Sequence, residues 1–431
     1  MRMTFMRLLI SLFFALHLSA ADIAAILRDR VEVRKAAPAI VVAVVTPEGS
    51  TFYHHGPATE DSLFRVASAT KVFTGLLLAG MVERGEMALD DPVAKYLPDG
   101  VVIPAGRRAI TLRDLATHRS GLPSMPSDFR DDREYGQREL YAYLAKCRLQ
   151  SEPGAQFRYS NLGMALLGVA LSRRANLTYE QLLAQRVTTP LGMKSSRIAV
   201  DPKEPRLAPG HDVRLRPARF HPSIETLAGA SELVSSARDL AAFLRAALGD
   251  SPLQAALQRS MTPLTTRDEY HAEIGYGWWL DHRRSRTFIW HGGESRDGYK
   301  SFIGLDPERK IGVVVLANSR NGIEDIGMHI LDERMKLDPF GKPEPRIAVT
   351  APGEYAGRYQ VRPDYAVTIE VKGTTLFGSG GHHPRRLIPI ERDSFVVDGM
   401  PLQIDFVRSE EGKLTSLILH GPGQVAEGAA P

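Results

Sequence analysis

Three short patterns along this 431-residue chain carry residue types that can do acyl-transfer chemistry. In chain order they are Ser68-Ala69-Thr70-Lys71, Tyr159-Ser160-Asn161 and His291-Gly292-Gly293. Together they supply a hydroxyl nucleophile, an amine and a phenol that can move protons, an amide, and glycines that let a substrate approach a strand closely. This set predicts an enzyme that forms an ester on a serine.

The first pattern stands where a buried helix is predicted to begin. Ser68 and Lys71 are three residues apart, so on a helix they share one face and the amine can reach the hydroxyl. The following stretch, residues 72–83, is apolar on nearly every face, which is typical of a buried helix. Burial lowers the pKa of a lysine from its usual value of about 10.4, so Lys71 can accept the serine proton. On an exposed helix the same pair would only be solvated.

The other two patterns add groups that handle protons and hold a carbonyl. Tyr159 can relay a proton beside a lysine, and Asn161 can donate its amide to a substrate carbonyl. The open alternative is a tyrosine with a buried ring and an asparagine that caps a turn. His291 follows an apolar run, where Gly292 and Gly293 let substrate lie against a strand edge and the next N–H face an oxyanion.

The elements that must position these residues are predicted from hydrophobic periodicity. Helical periods broken by Pro and Gly occupy residues 111–260, and short β-branched or apolar runs lie on either side. The predicted strands are residues 39–45, 51–54, 286–290, 299–305 and 311–317. This order predicts one antiparallel sheet with a helical insertion.

Four regions follow along the chain. Residues 1–21 have the features of a signal peptide: Arg2 and Arg7, an apolar stretch too short to span a bilayer comfortably, and small residues before Asp22. We therefore expect a periplasmic or secreted protein with no stable membrane insertion after cleavage; the alternative is a retained anchor. Residues 22–335 are predicted to form the catalytic domain, 336–352 a proline-rich linker and 353–425 a small β-rich domain.

The composition of the chain limits the classes of ligand and partner that we expect. The net charge is +4, and Arg2 and Arg7 are the only Lys, Arg, Asp or Glu residues among the first 20, so cleavage leaves +2 without a basic cluster. We expect no nucleic acid partner, no cofactor and no metal, since His54-His55 and His382-His383 have no accompanying carboxylate pattern. The single cysteine, Cys147, allows no intramolecular disulfide and is predicted to be a small buried residue of a helix. The oligomeric state is left open.

Three segments, residues 63–71, 89–98 and 110–123, resemble the class C β-lactamase superfamily, which also holds D-Ala-D-Ala carboxypeptidases, D-aminopeptidases and esterases. The resemblance covers about residues 38 to 335. It implies an α/β (α+β) fold, with an antiparallel sheet flanked by helices and a helical subdomain, and the site between them. Residues 354–423 resemble, more weakly, the lipocalin-like C-terminal domain of some members.

The resemblance implies roles for individual residues. Ser68 would be the acylated nucleophile, Lys71 its proton partner and Tyr159 the acid/base, with the choice of base between the last two left open. His118 and Ser120, in a family-like stretch, are interpreted as residues that hold a turn.

The remaining assignments concern substrate binding. Asn161 would bind the substrate amide, His291 and Gly293 match the third motif, and the N–H groups of Ser68 and Glu294 would form the oxyanion hole. Class C β-lactamases have Lys-Thr-Gly at the third motif, where the lysine helps to hold a substrate carboxylate. Histidine is a poorer permanent cation and is more typical of the peptidase and esterase members.

The sequence therefore predicts a serine hydrolase, of the peptidase S12-like type, that acts through an acyl-enzyme on a small amide, a D-amino-acid peptide or an ester. A genuine class C-type β-lactamase is the second enzymatic hypothesis. The non-enzymatic hypothesis is a penicillin-binding sensor of cell-wall fragments.

Overall fold

The computed structural model of this chain contains a seven-stranded sheet, a helical region and a closed barrel. The residues that it describes are 19–130, 135–249, 251–265, 272–283, 286–337, 347–362, 365–380, 384–397, 402–409, 411–421 and 424–429. Most of the predicted signal peptide and the pair His382-His383 lie outside these ranges. Within the ranges, no helix is both long and apolar enough to cross a membrane.

The main sheet is antiparallel throughout, in the strand order β2-β1-β9-β8-β7-β6-β5. Its strands are β1 Ile40–Thr46, β2 Gly49–His55, β5 Ala272–Ile274, β6 Trp279–Arg283, β7 Arg286–Ser295, β8 Tyr299–Asp306 and β9 Ile311–Ala317. A separate two-stranded ladder joins β3 Leu63–Arg65 to β4 Val234–Ser236. The first and last parts of the catalytic region therefore meet in one sheet, as predicted from the sequence.

Alternate residues of β1 face two different cores, because successive side chains on a strand point to opposite faces. Ile40 and Val42 lie in a cluster with the helices α1 Ala20–Arg28 and α10 Glu324–Leu331. Val41 and Ala43 lie in the larger cluster, which includes the helical region. Both faces of the sheet are thus covered, which explains why β1 and β9 are apolar along nearly their whole length.

The helical region lies between β3 and β5 in sequence and includes α2, whose predicted apolar surface is buried. The helices are α2 Thr70–Glu83, α3 Leu112–Ala116, α4 Gln137–Leu144, α5 Asn161–Ala175, α6 Tyr179–Leu183, α7 Ala228–Ser231, α8 Ala237–Leu248 and α9 Gln254–Ser260. In α2, the residues from Thr70 to Met81 are all buried. The helix ends near Gly85, which has a φ of +67°.

The C-terminal part forms a closed barrel of eight antiparallel strands connected in chain order. The strands are β10 Gly357–Arg362, β11 Tyr365–Lys372, β12 Thr375–Ser379, β13 Arg385–Glu391, β14 Ser394–Val397, β15 Gln403–Arg408, β16 Leu414–Gly421 and β17 Gln424–Ala429. Pairing of Gln360 in β10 with Ala429 in β17 closes it. An eight-stranded barrel with this meander order is the architecture of lipocalins.

The predicted fold class is confirmed, including the all-β C-terminal domain. The predicted domain boundaries stay predictions. The prediction for Cys147 was wrong: α4 ends at Leu144, and Cys147 lies half-buried beyond it. The chain turns away because the N–H of Gln150 donates to the carbonyl of Gly121, a bond that a continued helix could not make.

Candidate active site

Ser68 lies in a tight turn between β3 and α2, where the backbone is held in an unusual conformation. A 3-10 turn over Ala67–Ala69 leads directly into α2. Ala67 has a φ of +48°, in the left-handed region that residues with a Cβ rarely adopt. The Thr70 hydroxyl donates to the Ala67 carbonyl at 2.6 Å, and the Ser301 hydroxyl donates to the Val66 carbonyl at 2.6 Å. These bonds fix the turn and leave Ser68 half-buried.

Lys71, one turn along, is fully buried and has three polar neighbours. Its Nζ lies 3.0 Å from Ser68 Oγ, 2.7 Å from Asn161 Oδ1 and 2.8 Å from the Ala230 carbonyl. Burial lowers the pKa of Lys71 to about 7. Near neutral pH a large fraction of this amine is therefore uncharged.

The neutral amine fits its three neighbours in one way. An NH2 group has two N–H donors and one lone pair. The carbonyl oxygens of Asn161 and Ala230 can only accept, so they take both N–H groups. The lone pair of Lys71 is left for the Ser68 hydroxyl, which can then donate its proton to Nζ.

Tyr159 lies on the other side of the same pair. Lys71 Nζ is 4.9 Å from the centroid of the phenol ring. Burial raises the pKa of Tyr159, and a hydrogen bond with the Ser68 side chain opposes that shift only in part. Tyr159 therefore stays protonated across the physiological pH range and can act as an acid.

The start of α5 positions the second motif. Ser160 is the N-cap residue, and its hydroxyl accepts from the Gly163 N–H at 2.8 Å and donates to the Pro123 carbonyl at 2.7 Å. Because Ser160 caps the helix, Asn161 does not, and its side chain reaches Lys71 instead. Of the two alternatives that the sequence left open for Asn161, the turn-capping one was wrong.

The third motif runs along β7 against the Ser68 turn. A Cβ added at Gly293 would lie 2.1 Å from the Val66 carbonyl oxygen and 3.0 Å from the Ser68 nitrogen. Only glycine allows this approach, and it brings the N–H of Ser68 beside the strand that continues to Glu294. The Glu294 side chain pairs with Arg320 at 2.5 Å and with Lys300 at 3.3 Å.

His291 is buried and uncharged. Burial, and then the charge of Lys71, lower its pKa to about 3. Its Nδ1 lies within hydrogen-bond distance of the Gly292 carbonyl, and a carbonyl oxygen only accepts, so Nδ1 carries the proton. Nε2 is then a bare acceptor, buried and without a hydrogen-bond partner in the part of the chain that the structure describes. The third motif therefore presents a lone pair where a lysine would present a cation.

Aromatic rings continue the site beyond His291. The Trp279 ring lies 6.5 Å from the His291 ring and 5.3 Å from the Phe157 ring, measured between centroids. Trp279 and Phe157 are only partly buried, so they offer apolar surface to a ligand.

The structure thus brings Ser68, Lys71, Tyr159 and Asn161 into direct contact, with His291, Gly293 and Glu294 on the adjacent strand. Sequence reasoning missed His118, whose ring lies 4.4 Å from the Tyr159 ring. Its place in a family-like stretch was the available signal, but that stretch was interpreted only as a turn.

Comparison with known proteins agrees with this architecture. The family model described as Beta-lactamase matches residues 23–331. The chain belongs to the beta-lactamase family. As a family member it is a β-lactamase-related hydrolase, and its barrel follows the family domain along the chain.

Individual family members and relatives differ in their named activities. The chain is 28% identical over 298 residues to D-alanyl-D-alanine-carboxypeptidase/endopeptidase AmpH of Escherichia coli (strain K12), which covers 62% of this chain and 76% of that protein. It is 30% identical over 209 residues to Esterase EstB of Burkholderia gladioli, covering 43% and 53% respectively.

Two solved structures show the shared fold. The octameric penicillin-binding protein homologue from Pyrococcus abyssi has a TM-score of 0.66 at 22% identity, covering 94% of this chain and 99% of that one. The class C beta lactamase from Rhodobacter sphaeroides has a TM-score of 0.63 at 25% identity, covering 73% and 99%.

Proposed function

We propose that this chain is a serine hydrolase that forms an acyl-enzyme on Ser68, with Lys71 as the base and Tyr159 as the acid. The observation that carries the proposal is the position of the Lys71 amine, whose lone pair faces the Ser68 hydroxyl while two carbonyl oxygens hold its N–H groups. A lysine held in this way can remove a proton near pH 7, which an exposed lysine cannot do efficiently.

In the proposed acylation, the Ser68 proton moves to Lys71 Nζ as Oγ bonds to the substrate carbonyl carbon. The N–H groups of Ser68 and Glu294 would hold the oxyanion, and the amide N–H of Asn161 would hold a substrate carbonyl. When the bond to the leaving group breaks, Tyr159 gives that group its proton, and the Lys71 ammonium returns a proton to the phenolate. In deacylation, a water molecule attacks the ester carbonyl as Lys71 Nζ takes one of its protons, and that proton passes to Ser68 Oγ as the bond from Oγ to the acyl carbon breaks, which releases the acid and restores Ser68.

The substrate class follows from the charge of the site. A carboxylate placed beside His291 would meet a neutral imidazole and not a cation. Lys300 and Arg320 are already paired with Glu294, and Lys300 also pairs with Glu324 at 2.9 Å. We therefore favour esters and amides, including D-amino-acid peptides, in which the group next to His291 is uncharged or donates a hydrogen bond.

The names of the relatives fit this range, since they include a carboxypeptidase/endopeptidase and an esterase. The neutral third motif favours the esterase-like and endopeptidase-like reactions over carboxypeptidase action or β-lactam hydrolysis, whose substrates carry a carboxylate. We also propose a periplasmic or secreted location, which rests on the features of residues 1–21.

The first test is intact-mass spectrometry of the protein mixed with a fluorophosphonate and, separately, with a penicillin. We expect a fluorophosphonate adduct that maps to Ser68 and is absent from Ser68→Ala, which should fold normally. Absence of any adduct, together with no hydrolysis, would contradict the proposal and favour a non-catalytic sensor. Penicillin hydrolysed rapidly without a trapped adduct would identify a β-lactamase instead.

The preference for uncharged substrates is tested with a pair of peptides that differ only at the C-terminus. N-acetyl-D-Ala-D-Ala and the same peptide with a C-terminal amide differ only in the charged group. We expect kcat/KM to be at least about tenfold higher for the amide, which corresponds to about 1.4 kcal/mol. A preference for the free carboxylate would contradict the neutral-substrate assignment while leaving the acyl-enzyme mechanism intact.

A further inference from the structure

His118 is a buried histidine that the proposed chemistry leaves without a role. It follows α3 and is 2% exposed. Its φ of +56° places it in the left-handed region, which is strained for a residue of this size. Such a conformation persists only where the surrounding structure fixes it, so the contacts of His118 are informative.

Those contacts are made to the backbone N–H groups of the two residues that flank Tyr159. The N–H of Arg158 donates to the His118 carbonyl at 2.7 Å. The N–H of Ser160 donates to His118 Nδ1 at 3.1 Å. His118 therefore binds the backbone of the residue before Tyr159 and of the residue after it.

The ring of His118 also restricts the phenol itself. It lies 4.4 Å from the Tyr159 ring with an angle of 33° between the planes, and the Phe157 ring meets its edge at 5.8 Å and 90°. Because Nδ1 accepts a backbone N–H, the imidazole is held neutral with its proton on Nε2. Burial, followed by electrostatic interaction with Lys71 and with the His291 ring, lowers the pKa of His118 well below its usual value, so the ring stays neutral.

We propose that His118 is a positioning residue that holds the Tyr159 phenol against Ser68 and Lys71. The inference rests on the proposed role of Tyr159 as the acid for the leaving group. His118 touches no reacting atom; it acts through the two backbone bonds and the ring contact. A displacement of about 1 Å in a catalytic group can lower a rate by about 100-fold, so a loss of this hold should affect turnover.

The matched variants are His118→Asn and His118→Gln. The asparagine carbonyl can accept the Ser160 N–H in place of Nδ1, and asparagine tolerates the left-handed backbone. The glutamine carbonyl stands one bond further out and cannot accept from the same direction. Both variants lose the ring, and they differ in the bond to Ser160 and in their tolerance of the left-handed backbone, so urea denaturation of each accompanies the kinetics.

The experiment measures how the rate of ester hydrolysis by each variant depends on the leaving group. A p-nitrophenolate leaves without a proton, whereas an alkoxide needs the Tyr159 acid. With alkyl and p-nitrophenyl esters of one acid, we expect Tyr159→Phe to lower kcat/KM, which reports acylation, by at least about 100-fold for the alkyl ester and much less for the aryl ester. His118→Gln should show the same selective loss of kcat/KM, and His118→Asn should recover most of the lost activity.

Three results would overturn the inference. The first is a folded His118→Gln with normal kcat/KM for the alkyl ester, and the second is an equal loss of kcat/KM for both esters. The third is an additive loss in the double variant His118→Ala/Tyr159→Phe. If His118 acts through Tyr159, the double variant should lose no more activity on the alkyl ester than Tyr159→Phe alone. This cycle decides the question if His118→Gln does not fold.

The proposed function fails separately. If Tyr159→Phe shows no leaving-group dependence, Tyr159 is not the acid, whatever His118 does. If Tyr159→Phe shows the dependence and the His118 variants do not, only the positioning role is wrong.

Discussion

At the scale of single residues, Lys71 shows how burial converts a common cation into a base. The helix places its amine beside Ser68, burial favours the neutral form, and the surrounding carbonyl oxygens orient that form by accepting its two N–H groups. The distance between Ser68 and Lys71 is a local property of a helix, which is why sequence spacing predicted it. The partners Asn161 and Ala230 come from distant segments and could not be predicted by spacing.

The pKa of Lys71 gives a prediction for the pH dependence of the reaction. With a pKa of about 7, the amine loses its proton as the pH rises through neutrality. We expect kcat/KM for a neutral ester to fall about tenfold per pH unit below pH 7 and to be flat above about pH 8. Lys71→Arg, which stays charged, should lose at least about 1,000-fold at every pH. A pH profile from 5.5 to 9.5 measures this, and a wild-type profile without the acidic limb would contradict it.

His291 gives a prediction for selectivity. His291→Lys places an amine where Nε2 is now a bare acceptor. We expect the ratio of kcat/KM for N-acetyl-D-Ala-D-Ala to that for its amide to rise by about tenfold or more, because an ammonium attracts the carboxylate. His291→Gln is the control: it stays neutral, and its ratio should not shift toward the carboxylate. An unchanged ratio in His291→Lys would show that this position does not face the terminal group.

The contact between His118 and Tyr159 shows where prediction at this scale stops. Ser160 and His118 are 42 residues apart, and the bond between them depends on how α3 and α5 pack. The residues around His118 predict a turn, but they do not predict that this turn contacts Tyr159.

At the scale of elements, the approach of β7 to the Ser68 turn depends on a single glycine. Gly293→Ala would place a Cβ 2.1 Å from the Val66 carbonyl, so the strand and the turn must separate. We expect a loss of activity of at least about 100-fold and a free energy of unfolding lower by about 1–3 kcal/mol. Ester hydrolysis and urea denaturation measure the two effects.

Gly49→Ala is the matched control for that substitution. Gly49 lies in β2 of the same sheet, and a Cβ added there meets no atom within 4 Å. Its activity and stability should stay close to wild type. Similar losses in both variants would mean that the approach of β7 has no special importance.

Five strands of the main sheet were predicted from their apolar runs, whereas β5 and β6 of that sheet and the ladder of β3 and β4 were missed. The five predicted strands of the main sheet and the helix α2 are present. The strands β3 and β4, of three residues each, were missed because they are too short to show a period and exist only through their pairing. Buried Arg65 in β3 pairs with Asp297 at 2.8 Å and with Glu232 at 3.3 Å, and these non-local contacts fix the segment that leads to Ser68.

At the scale of the whole molecule, strand alternation predicted an all-β C-terminal domain but not its closure. Closure needs the first strand of the barrel to pair with the last, through Gln360 and Ala429. Hydrophobic alternation fixes which side of each strand faces the core, whereas the number of strands and their closing pair are properties of the assembled barrel.

Global stability should fall in mild acid because two buried histidines are neutral in the folded state. Unfolding returns the pKa of each to about 6.5, so below pH 6.5 the unfolded chain binds more protons than the folded one. Each histidine then lowers the free energy of unfolding by up to about 1.4 kcal/mol per pH unit, until the folded pKa is reached, about 3 for His291. Lys71 adds no slope below pH 7, where it is protonated in both states.

Urea denaturation between pH 7 and pH 4.5 measures this effect. His291→Gln removes one of the two groups, so its stability should fall less steeply, by up to about 1.4 kcal/mol per pH unit. Parallel curves for wild type and His291→Gln would show that His291 does not resist protonation in the folded protein.

The reactive form of the site carries no net charge, which has a consequence for salt. Above pH 8, Lys71, His291 and Tyr159 are all neutral, and Glu294 and Glu324 are balanced by Lys300 and Arg320. Ionic strength weakens interactions between charges and leaves those between neutral groups nearly unchanged. Turnover of an uncharged ester should therefore be almost the same in dilute buffer and in 0.5 M NaCl at pH 8, so that this hydrolase would work equally well in fresh water and in brine.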